Sequence, residues 1–366
     1  MLSFMAGCVD PYEPHFSEGI PTLLIVDGFI NSSNQSASVR LTRSVALSDS
    51  NVPAPDNNAS VVMEEQGGTQ RTLSNQGSGN YASQGLKLNP SGKYRLVITT
   101  FQGKRYTSDF IDLQVATPPI DSLQWKTVDG GVNIYLDSHD PSGMNRYYRW
   151  NFVETWHYTS SYDSEIKLAD GQVVARDIND HIYNCWKSTS STVILIRSTV
   201  RLSTAIINDF LITIIPKESI KLKKRYSILV NQYSISEEAC NYWQQLQKTT
   251  ENLGGLFDPL PSQVKGNLHS ESDPKETVLG YFSGGAVTSK RIFISINDLP
   301  VEFRAPGHTE ECIEFSIPKK DVALLNGVAY LLIRPLDPPF NSYTYSFKDC
   351  VDCREKGGTN IKPDFW

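Results

Sequence analysis

The sequence lacks several features that would assign it at once to a class of protein. No apolar run approaches the length of about 18 residues that a membrane-spanning helix needs. Six cysteines in 366 residues are too few for a small scaffold built on disulfides. Acidic residues exceed basic ones only by 40 to 34, so the net charge of −6 argues against a general nucleic-acid binder. An aromatic fraction of 10% with 20% charged residues excludes disorder over the whole chain.

The common catalytic motifs are missing as well. The sequence has no H-E-x-x-H zinc motif, no G-x-S-x-G nucleophile elbow and no phosphate-binding loop, and its six histidines are scattered. The stretch D-S-H-D at 137–140 lacks the oxygen spacing and the closing Glu of a calcium loop, so it predicts an Asp-Pro turn. We therefore expect a protein that is not an enzyme and that holds no metal or cofactor. An unrecognised hydrolase is the alternative.

The amino end carries the clearest local motif. Residues 5–8 have the sequence M-A-G-C and fit a bacterial lipobox, in which small residues admit the signal peptidase and the thiol of Cys8 receives the lipid. Residues 1–7 are too few for a full signal peptide and include no Lys or Arg. We interpret them as a signal remnant whose true start lies upstream or has been clipped. A cytosolic amino terminus with a chance cysteine is the alternative.

A tether follows the lipobox and occupies residues 8–21. Three prolines, three acidic residues and little periodicity indicate an extended linker rather than a helix or strand. A lipid on Cys8 and such a linker would hold the body of the chain at a membrane. We expect a lipid-anchored protein of the outer membrane. The early acids Asp10 and Glu13 suggest the cell surface, although ordinary solubilising charge explains them equally well.

Short strand patterns separated by turns fill the rest of the chain. Apolar and polar side chains alternate at 38–43, and similar runs recur about every 8–15 residues between Gly- and Asn-containing turns. Pro118 and Pro119 interrupt this pattern and mark a domain boundary. The pattern predicts a mainly β protein with two immunoglobulin- or fibronectin-like β-sandwich domains, an N-terminal one at 22–117 and a second one at 118–366.

One prominent helix is predicted inside the second domain, near residues 236–253. Ser236 is placed to cap it, and Glu237 and Glu238 suit its first turn. A Gly-Gly pair follows its last turn. Apolar residues recur on one face at three-to-four spacing, which favours a helix packed on the core over one that binds a partner.

The C-x-x-C pair Cys350 and Cys353 stands in the C-terminal region. Such a pair serves as a redox couple, as half of a zinc site or as the ends of two different disulfides. There is no second C-x-x-C, and an exported protein meets an oxidising environment, so we expect disulfides, with free thiols and a metal site as alternatives. Candidate partners are Cys185 and Cys312, which leaves Cys240 as a buried thiol. The connectivity stays open.

An aromatic stretch at 147–158 is the candidate binding surface. Alternation along a strand puts Tyr148 and Trp150 on one face. One face of this strand should belong to the core, and the other would offer rings for stacking on a sugar or a peptide, or for docking a protein. We name Tyr148, Trp150 and Trp156 as candidates for such a surface, against the competing interpretation that they are core residues.

Segments spread along the chain resemble a known family. They are L-I-V-D-G-F-I at 24–30, Y-R-W at 148–150, C-W at 185–186, R-Y-S-I-L-V-N-Q at 225–232, Y-W at 242–243, G-L-F-D-P-L-P at 255–261, G-N at 266–267, G-Y-F at 280–282 and C-V-D-C-R-E-K-G-G-T-N-I-K-P-D-F-W at 350–366. Together they resemble the Bacteroidetes outer-membrane lipoproteins classed as domain of unknown function 4249. The resemblance covers about 23–366, and the ending is its most specific part.

The resemblance implies location and association rather than chemistry. Members of this family are typically encoded beside TonB-dependent outer-membrane receptors of the starch-utilisation (SusC-like) type, and no catalytic residues can be carried over. We expect a non-enzymatic accessory subunit of such a nutrient transporter, which binds a glycan or peptide ligand or docks on the receptor. The alternative is a structural or assembly component of an outer-membrane complex without a small-molecule ligand. Neither role involves nucleic acid.

Overall fold

The structure, a computed structural model, is mainly β. Strands make up 51% of the described residues and helices 13%, which confirms the predicted class. Within this part of the chain no helix combines the length and the apolar character needed to cross a membrane. The predicted signal remnant at 1–7 and the tether at 8–21, with Cys8, lie outside the described residues. The structure describes residues 22–45, 53–114, 116–250, 264–303, 312–325, 329–336 and 341–366.

Strands and two short α-helices follow one another along the described chain. The first twelve strands are β1 (Leu24–Asn31), β2 (Ser36–Arg43), β3 (Ala54–Pro55), β4 (Ser60–Glu65), β5 (Gln70–Gly77), β6 (Asn80–Ser83), β7 (Lys93–Thr99), β8 (Arg105–Ser108), β9 (Ile111–Asp112), β10 (Ile120–Val128), β11 (Gly131–Asp140) and β12 (Tyr147–Thr159). The elements that follow are β13 (Ile166–Ala169), β14 (Gln172–Ala175), β15 (Asn184–Ser190), β16 (Leu195–Ser198), β17 (Ala205–Pro216), β18 (Arg225–Ser234), α1 (Glu237–Thr250), β19 (Leu268–Ser270), β20 (Leu279–Gly285), β21 (Val287–Ser295), β22 (Phe315–Pro318), β23 (Tyr330–Pro335), β24 (Ser342–Phe347) and α2 (Lys348–Val351).

The chain divides into two compact units, described here as unit 1 and unit 2. Unit 1 includes the described residues up to Leu113 and, in addition, residues 264–284, and unit 2 includes the remainder. The predicted boundary at 117/118 lies close to the first division, but the prediction keeps 264–284 in the second domain. These residues belong to unit 1 because β19 pairs with β8 and β20 pairs with β1. A local pattern identifies a strand but not the sheet that it joins.

Unit 1 is built on one hydrogen-bonded sheet of eleven strands. Its order is β19-β8-β7-β4-β5-β6-β2-β1-β20, with β3 beside β2 and β9 beside β7. Although β1 and β7 are far apart in this order, a Cβ placed on Gly28 of β1 would lie only 3.6 Å from Leu96 of β7. It would also lie 2.8 Å from the Phe282 ring of β20. The sheet therefore curls over one core, and glycine at position 28 leaves room for Phe282.

Unit 2 arranges two antiparallel sheets around a shared core. The first has the order β10-β11-β17, and the second has the order β15-β12-β18-β21, with β16 also paired to β12. Buried side chains of both sheets form one cluster, including Ile134 of β11, Trp150 of β12 and Ile228 of β18. The β22-β24-β23 sheet and the β13–β14 hairpin form a second, smaller core in unit 2, which contains Ile166 and Leu332.

Trp150 lies at the centre of the larger core and has no exposed surface. Its ring centroid is 4.4 Å from that of Phe210 on β17. Its Nε1 donates to Oε1 of Gln232 at 2.9 Å. Nε2 of Gln232 in turn donates to the carbonyl oxygen of Pro118 at 2.9 Å and to Oγ of Ser138 at 3.0 Å. This satisfied network bonds the two sheets to each other and to the segment that enters unit 2.

The prominent helix is α1, and it packs on the edge of the second sheet as predicted. Oγ of Ser236 accepts a hydrogen bond from the backbone N–H of Ala239 at 3.2 Å, as a cap does. Ala239, Cys240 and Tyr242 are buried. Nε2 of Gln247 donates to the carbonyl of Ile194 beside β16 at 2.7 Å. The predicted Gly-Gly terminus lies outside the described residues.

The turn after β11 is organised by the carboxylate of Asp140, as the Asp-Pro sequence predicts. Asp140 accepts hydrogen bonds from the backbone N–H and Oγ of Ser142, at 2.9 and 2.6 Å, and from the backbone N–H and Nδ2 of Asn145, at 2.7 and 2.9 Å. Burial by itself raises the pKa of Asp140, but these four bonds outweigh it and lower the pKa to about 2. The ionised carboxylate therefore stabilises the fold.

Replacing Asp140 by Asn tests this contribution. Because folding lowers the pKa from 3.8 to about 2, the stabilisation is complete only well above pH 3.8 and is lost as the pH falls through 3.8 toward 2. We expect D140N to lower the free energy of unfolding by about 2 kcal/mol at pH 7, measured by urea denaturation. The difference from the wild type should narrow between pH 5 and pH 2. Asp209→Asn, which removes an exposed partner of Lys126, is the control. It should change neither the free energy of unfolding at pH 7 nor its dependence on pH appreciably.

Candidate functional site

The four candidate cysteines form two disulfides. Cys185 pairs with Cys353 and Cys312 pairs with Cys350, with Cα–Cα distances of 5.7 and 5.8 Å. The C-x-x-C motif therefore supplies the ends of two different bridges, which was one of the three alternatives. With all four sulfurs in S–S bonds, this motif provides neither a dithiol couple nor thiolate ligands.

The two bridges fasten the end of the chain to unit 2. Cys185 lies on β15, and both Cys185 and Cys353 have no exposed surface. The hydroxyl of Tyr158 donates to the backbone carbonyl of Cys353 at 2.9 Å, so the second sheet also binds the tail through a hydrogen bond. A bridge that closes a loop across 168 residues restricts the unfolded chain strongly. The cysteines have a structural role here.

Cys240 is the one free cysteine among the described residues, and it lies on the buried face of α1. Burial, with a smaller effect from the nearby Glu237 carboxylate, raises its pKa to about 11. Because the thiolate is the reactive form, a thiol of this pKa is a poor nucleophile at neutral pH. Cys240 therefore packs as a small apolar side chain.

The candidate aromatic surface was predicted wrongly. Tyr148, Trp150 and Trp156 are 1%, 0% and 7% exposed, so none of them can stack on a ligand. The physical reason is the position of β12, whose inward face meets the β10-β11-β17 sheet and whose two edges are paired with β15 and β16 on one side and β18 on the other. Burial raises the pKa of Tyr148 to about 12, and its hydroxyl donates to the carbonyl of Asn145 at 2.7 Å.

The opposite face of β12 is covered by the chain itself. At one end, the guanidinium of Arg149 lies 3.8 Å from the ring centroid of Trp243 on α1. In the middle, Nδ2 of Asn231 on β18 donates to Oδ1 of Asn151 at 2.8 Å. Toward the other end, the ring of His157 stacks on Trp186 of β15 at 5.1 Å. These contacts use Arg149, His157 and two tryptophan rings for packing within unit 2.

The last two residues of the chain cover the neighbouring part of the same sheet. The Trp366 ring meets Phe293 of β21 edge-on at 5.6 Å, and the Arg225 guanidinium lies 4.4 Å from Phe293. The Arg291 guanidinium lies 3.6 Å from the Phe365 ring. Cation–π contacts thus hold the F-W ending on the sheet. The unusual ending, which the sequence singles out, is part of the fold of unit 2.

A polar groove in unit 1 combines charged groups with an exposed aromatic ring, and we call it the unit 1 groove. It has a volume of about 830 Å³, within the range of small-molecule sites. The side chains come from the start of β1, the β2–β3 region, the β7–β8 hairpin and the segment after β19. Its lining is formed by Thr22, Leu23, Arg43, Pro55, Asp56, Asn57, Asn58, Thr100, Phe101, Gln102, Lys104, Asp273, Lys275, Glu276 and Thr277.

The β7–β8 hairpin presents Phe101 and Gln102 on a defined turn. The backbone N–H of Gly103 donates to the carbonyl of Thr100 at 2.9 Å, and that of Thr100 donates to the carbonyl of Lys104 at 2.9 Å. Gly103 has a φ of +79°, a left-handed conformation that favours glycine. This is the common three-residue hairpin loop with a glycine after the turn. Phe101 is consequently 84% exposed although its backbone is held.

Glu276 organises one wall of the unit 1 groove. Its Oε1 accepts hydrogen bonds from Nζ of Lys104 and from the hydroxyl of Tyr106, both at 2.9 Å, and its Oε2 accepts from Oγ of Ser270 at 3.0 Å. Burial alone raises the pKa of Glu276, but these bonds together hold it below its usual value. The carboxylate is ionised and bonded at neutral pH, so it suits a positioning role better than that of a general acid.

A second ion pair forms another part of the groove. Nη2 of Arg43 lies 3.0 Å from Oδ2 of Asp56, and the two side chains are 22% and 13% exposed. The backbone N–H of Asp56 donates to the carbonyl of Leu41 at 3.0 Å, which fixes this segment beside β2. Oδ1 of Asn57 accepts from the backbone N–H of Gly79 at 2.5 Å. The groove therefore contains ordered hydrogen-bonding groups, and two of its three cations are paired with carboxylates.

The arrangement supports binding by hydrogen bonds and ring contact. Among the described residues no three His, Cys, Asp or Glu side chains converge in a way that would hold a metal ion. Sequence reasoning missed the groove because Lys104 and Glu276 are far apart in the chain and meet only through the pairing of β19 with β8. The one local signal was the Gln102-Gly103 turn, which marks a hairpin but not a site.

The family model described as Domain of unknown function (DUF4249) matches residues 9–291. The chain belongs to this family. The match covers the described residues of unit 1 and most of the strands around the larger of the two cores of unit 2. It ends before the cysteine-containing segment at 350–366, which we expected to be the most specific part of the resemblance. No curated protein matches the sequence. The family therefore identifies the chain without assigning it a chemical activity.

Removing the longer disulfide tests the role of the cysteines. Joint replacement of Cys185 and Cys353 by Ser should lower the stability of unit 2 by about 2–5 kcal/mol, because the unfolded chain regains the freedom that the bridge removes. Thermal unfolding followed by circular dichroism measures this. Cys240→Ala should cost much less and is the matched control. Peptide mapping without reduction should find the 185–353 and 312–350 links, and a 350–353 link would contradict the assignment.

Proposed function

We propose that the chain is a non-enzymatic outer-membrane lipoprotein, anchored at the cell surface by a lipid on Cys8. We further propose that it acts as an accessory subunit of a TonB-dependent (SusC-like) nutrient transporter, where it binds a glycan or peptide ligand or docks on the receptor. The observation that carries the proposal is the lipobox at residues 5–8 followed by the proline-containing tether at 8–21. Family membership is consistent with it.

The form of the body supports a binding role. The unit 1 groove offers paired charges and the exposed ring of Phe101, which are features of recognition sites. Unit 2 is fastened by two disulfides, which suits a protein exported to an oxidising environment. An immunoglobulin- or fibronectin-like sandwich for both units is part of the proposal. It is supported in unit 2 by the two sheets that share the Trp150 core, and in unit 1 by the curl of the sheet.

The second candidate is a structural or assembly component of an outer-membrane complex. It is favoured by the cation–π and ring contacts at the F-W ending, because they use the arginines and aromatic rings of this face for packing within unit 2 rather than for a ligand. This role needs no small-molecule ligand. The two candidates therefore differ in whether the purified protein binds one.

Affinity purification from the native membrane tests the leading proposal. The C-terminally tagged chain should recover a TonB-dependent receptor in stoichiometric amount, and labelling with an alkyne fatty acid should modify Cys8. The variant Cys8→Ser should lose the label and leave the membrane fraction, because its anchor is gone. Recovery of outer-membrane proteins that include no receptor would favour the assembly role, and an unlabelled wild-type chain would overturn the anchor.

A further inference from the structure

We propose that the unit 1 groove is a binding site for a neutral saccharide, with the Phe101 ring as its stacking platform and the amides of Asn57, Asn58 and Gln102 as hydrogen-bonding partners. This inference rests on the proposed function, because it names the ligand class of the accessory subunit. It assigns that role to a site quite different from the buried aromatic stretch of β12.

Phe101 supplies the first observation. It is 84% exposed, yet its backbone is held by the hydrogen bonds of the β7–β8 turn. A large apolar ring kept in water forgoes the stabilisation that burial would supply. The C–H face of a sugar ring is a flat apolar surface of similar size, and stacking on it would remove both surfaces from water. Because the turn is already ordered, binding would cost little conformational entropy.

The amides of the groove supply the second observation. Asn57, Asn58 and Gln102 are exposed, and each carries both donor and acceptor atoms. A sugar hydroxyl also donates and accepts, so planar amides match it better than groups that only donate or only accept. The backbone N–H of Gly79 bonds to Oδ1 of Asn57 and orients that amide. These amides and the Phe101 ring thus line the same groove.

The charge of the groove supplies the third observation. Arg43 is paired with Asp56, and Lys104 is paired with Glu276. The remaining charged side chains are one lysine and one aspartate, so the lining is neutral in sum. A groove for a phosphate, a nucleotide or an acidic peptide would need an excess of cations over carboxylates. A neutral ligand rich in hydroxyl groups fits this balance. The paired carboxylates would still accept hydrogen bonds from its hydroxyl groups, and the paired guanidinium group would still donate to them.

Isothermal titration of the full-length purified protein with neutral hexasaccharides of glucose, xylose, mannose and galactose tests the inference. At least one should bind, and the anionic hexamer of galacturonic acid should bind more weakly. Phe101→Ala should reduce the affinity roughly tenfold or more, whereas Phe101→Trp should retain it. Met144→Ala removes an apolar side chain of equal exposure, 83%, in unit 2 and should change nothing. Circular dichroism of each variant establishes that it is folded.

Two results would overturn the saccharide site. One is that none of the four neutral sugars binds at millimolar concentration, and the other is that Phe101→Ala binds as well as the wild type. Receptor recovery with the Phe101→Ala variant separates this inference from the proposed function. The receptor should still be recovered if the groove holds a sugar. If the variant loses the receptor instead, the groove is a docking surface, the saccharide site is wrong and the accessory role stands.

Discussion

The hydrogen-bond network around Trp150 is the interaction on which unit 2 depends. A buried indole N–H and a buried amide would each destabilise the core if they were left without partners. The Gln232 side chain satisfies both groups, because its oxygen accepts from Nε1 of Trp150 and its nitrogen donates to the Pro118 carbonyl and to Oγ of Ser138. The same network bonds β12, β18, β11 and the entering segment, so it sets how the two sheets face each other. It also commits the aromatic stretch of β12 to the interior.

The burial of the inner face of β12 places the aromatic side chains there out of reach of a ligand. The inner face of β12 is packed, and its outer face is occupied by Trp243 of α1 and, on adjacent strands, by Phe365 and Trp366. Aromatic rings and arginines, which commonly form binding surfaces, are therefore used within unit 2 for its own stability. In unit 1, by contrast, the Phe101 ring is exposed in a groove that also contains the Arg43–Asp56 and Lys104–Glu276 ion pairs. The ligand site that we propose therefore lies in unit 1, whereas the rings and arginines of this part of unit 2 serve its own packing.

Much of the architecture follows from local patterns. The mainly β class, the capped helix near residue 237, the Asp140 turn and the set of paired cysteines are predictable, since each depends on neighbours in the chain or on a short list of candidates. The domain boundaries are harder to predict from local patterns, because residues 264–284 join unit 1 only through their pairing with β8 and β1. The region 157–190 has an irregular sequence, yet it contributes β15 to the second sheet. Tertiary pairing overrides a weak local signal there.

The residue identities alone establish which chemical groups are present: the M-A-G-C segment at 5–8, a C-x-x-C pair, strand periodicity and a stretch of aromatic residues. The folded structure decides how the cysteines of the C-x-x-C pair and the aromatic residues of β12 are used. Alternation along β12 separates two faces but cannot say which one meets a second sheet, so it leaves Tyr148, Trp150 and Trp156 as candidates for either a surface or the core. The same is true of the unit 1 groove, where Lys104 and Glu276 become partners only when β19 pairs with β8. Burial and long-range pairing are properties of the folded chain. They decide which of the residues seen in the sequence are packed in a core and which remain accessible.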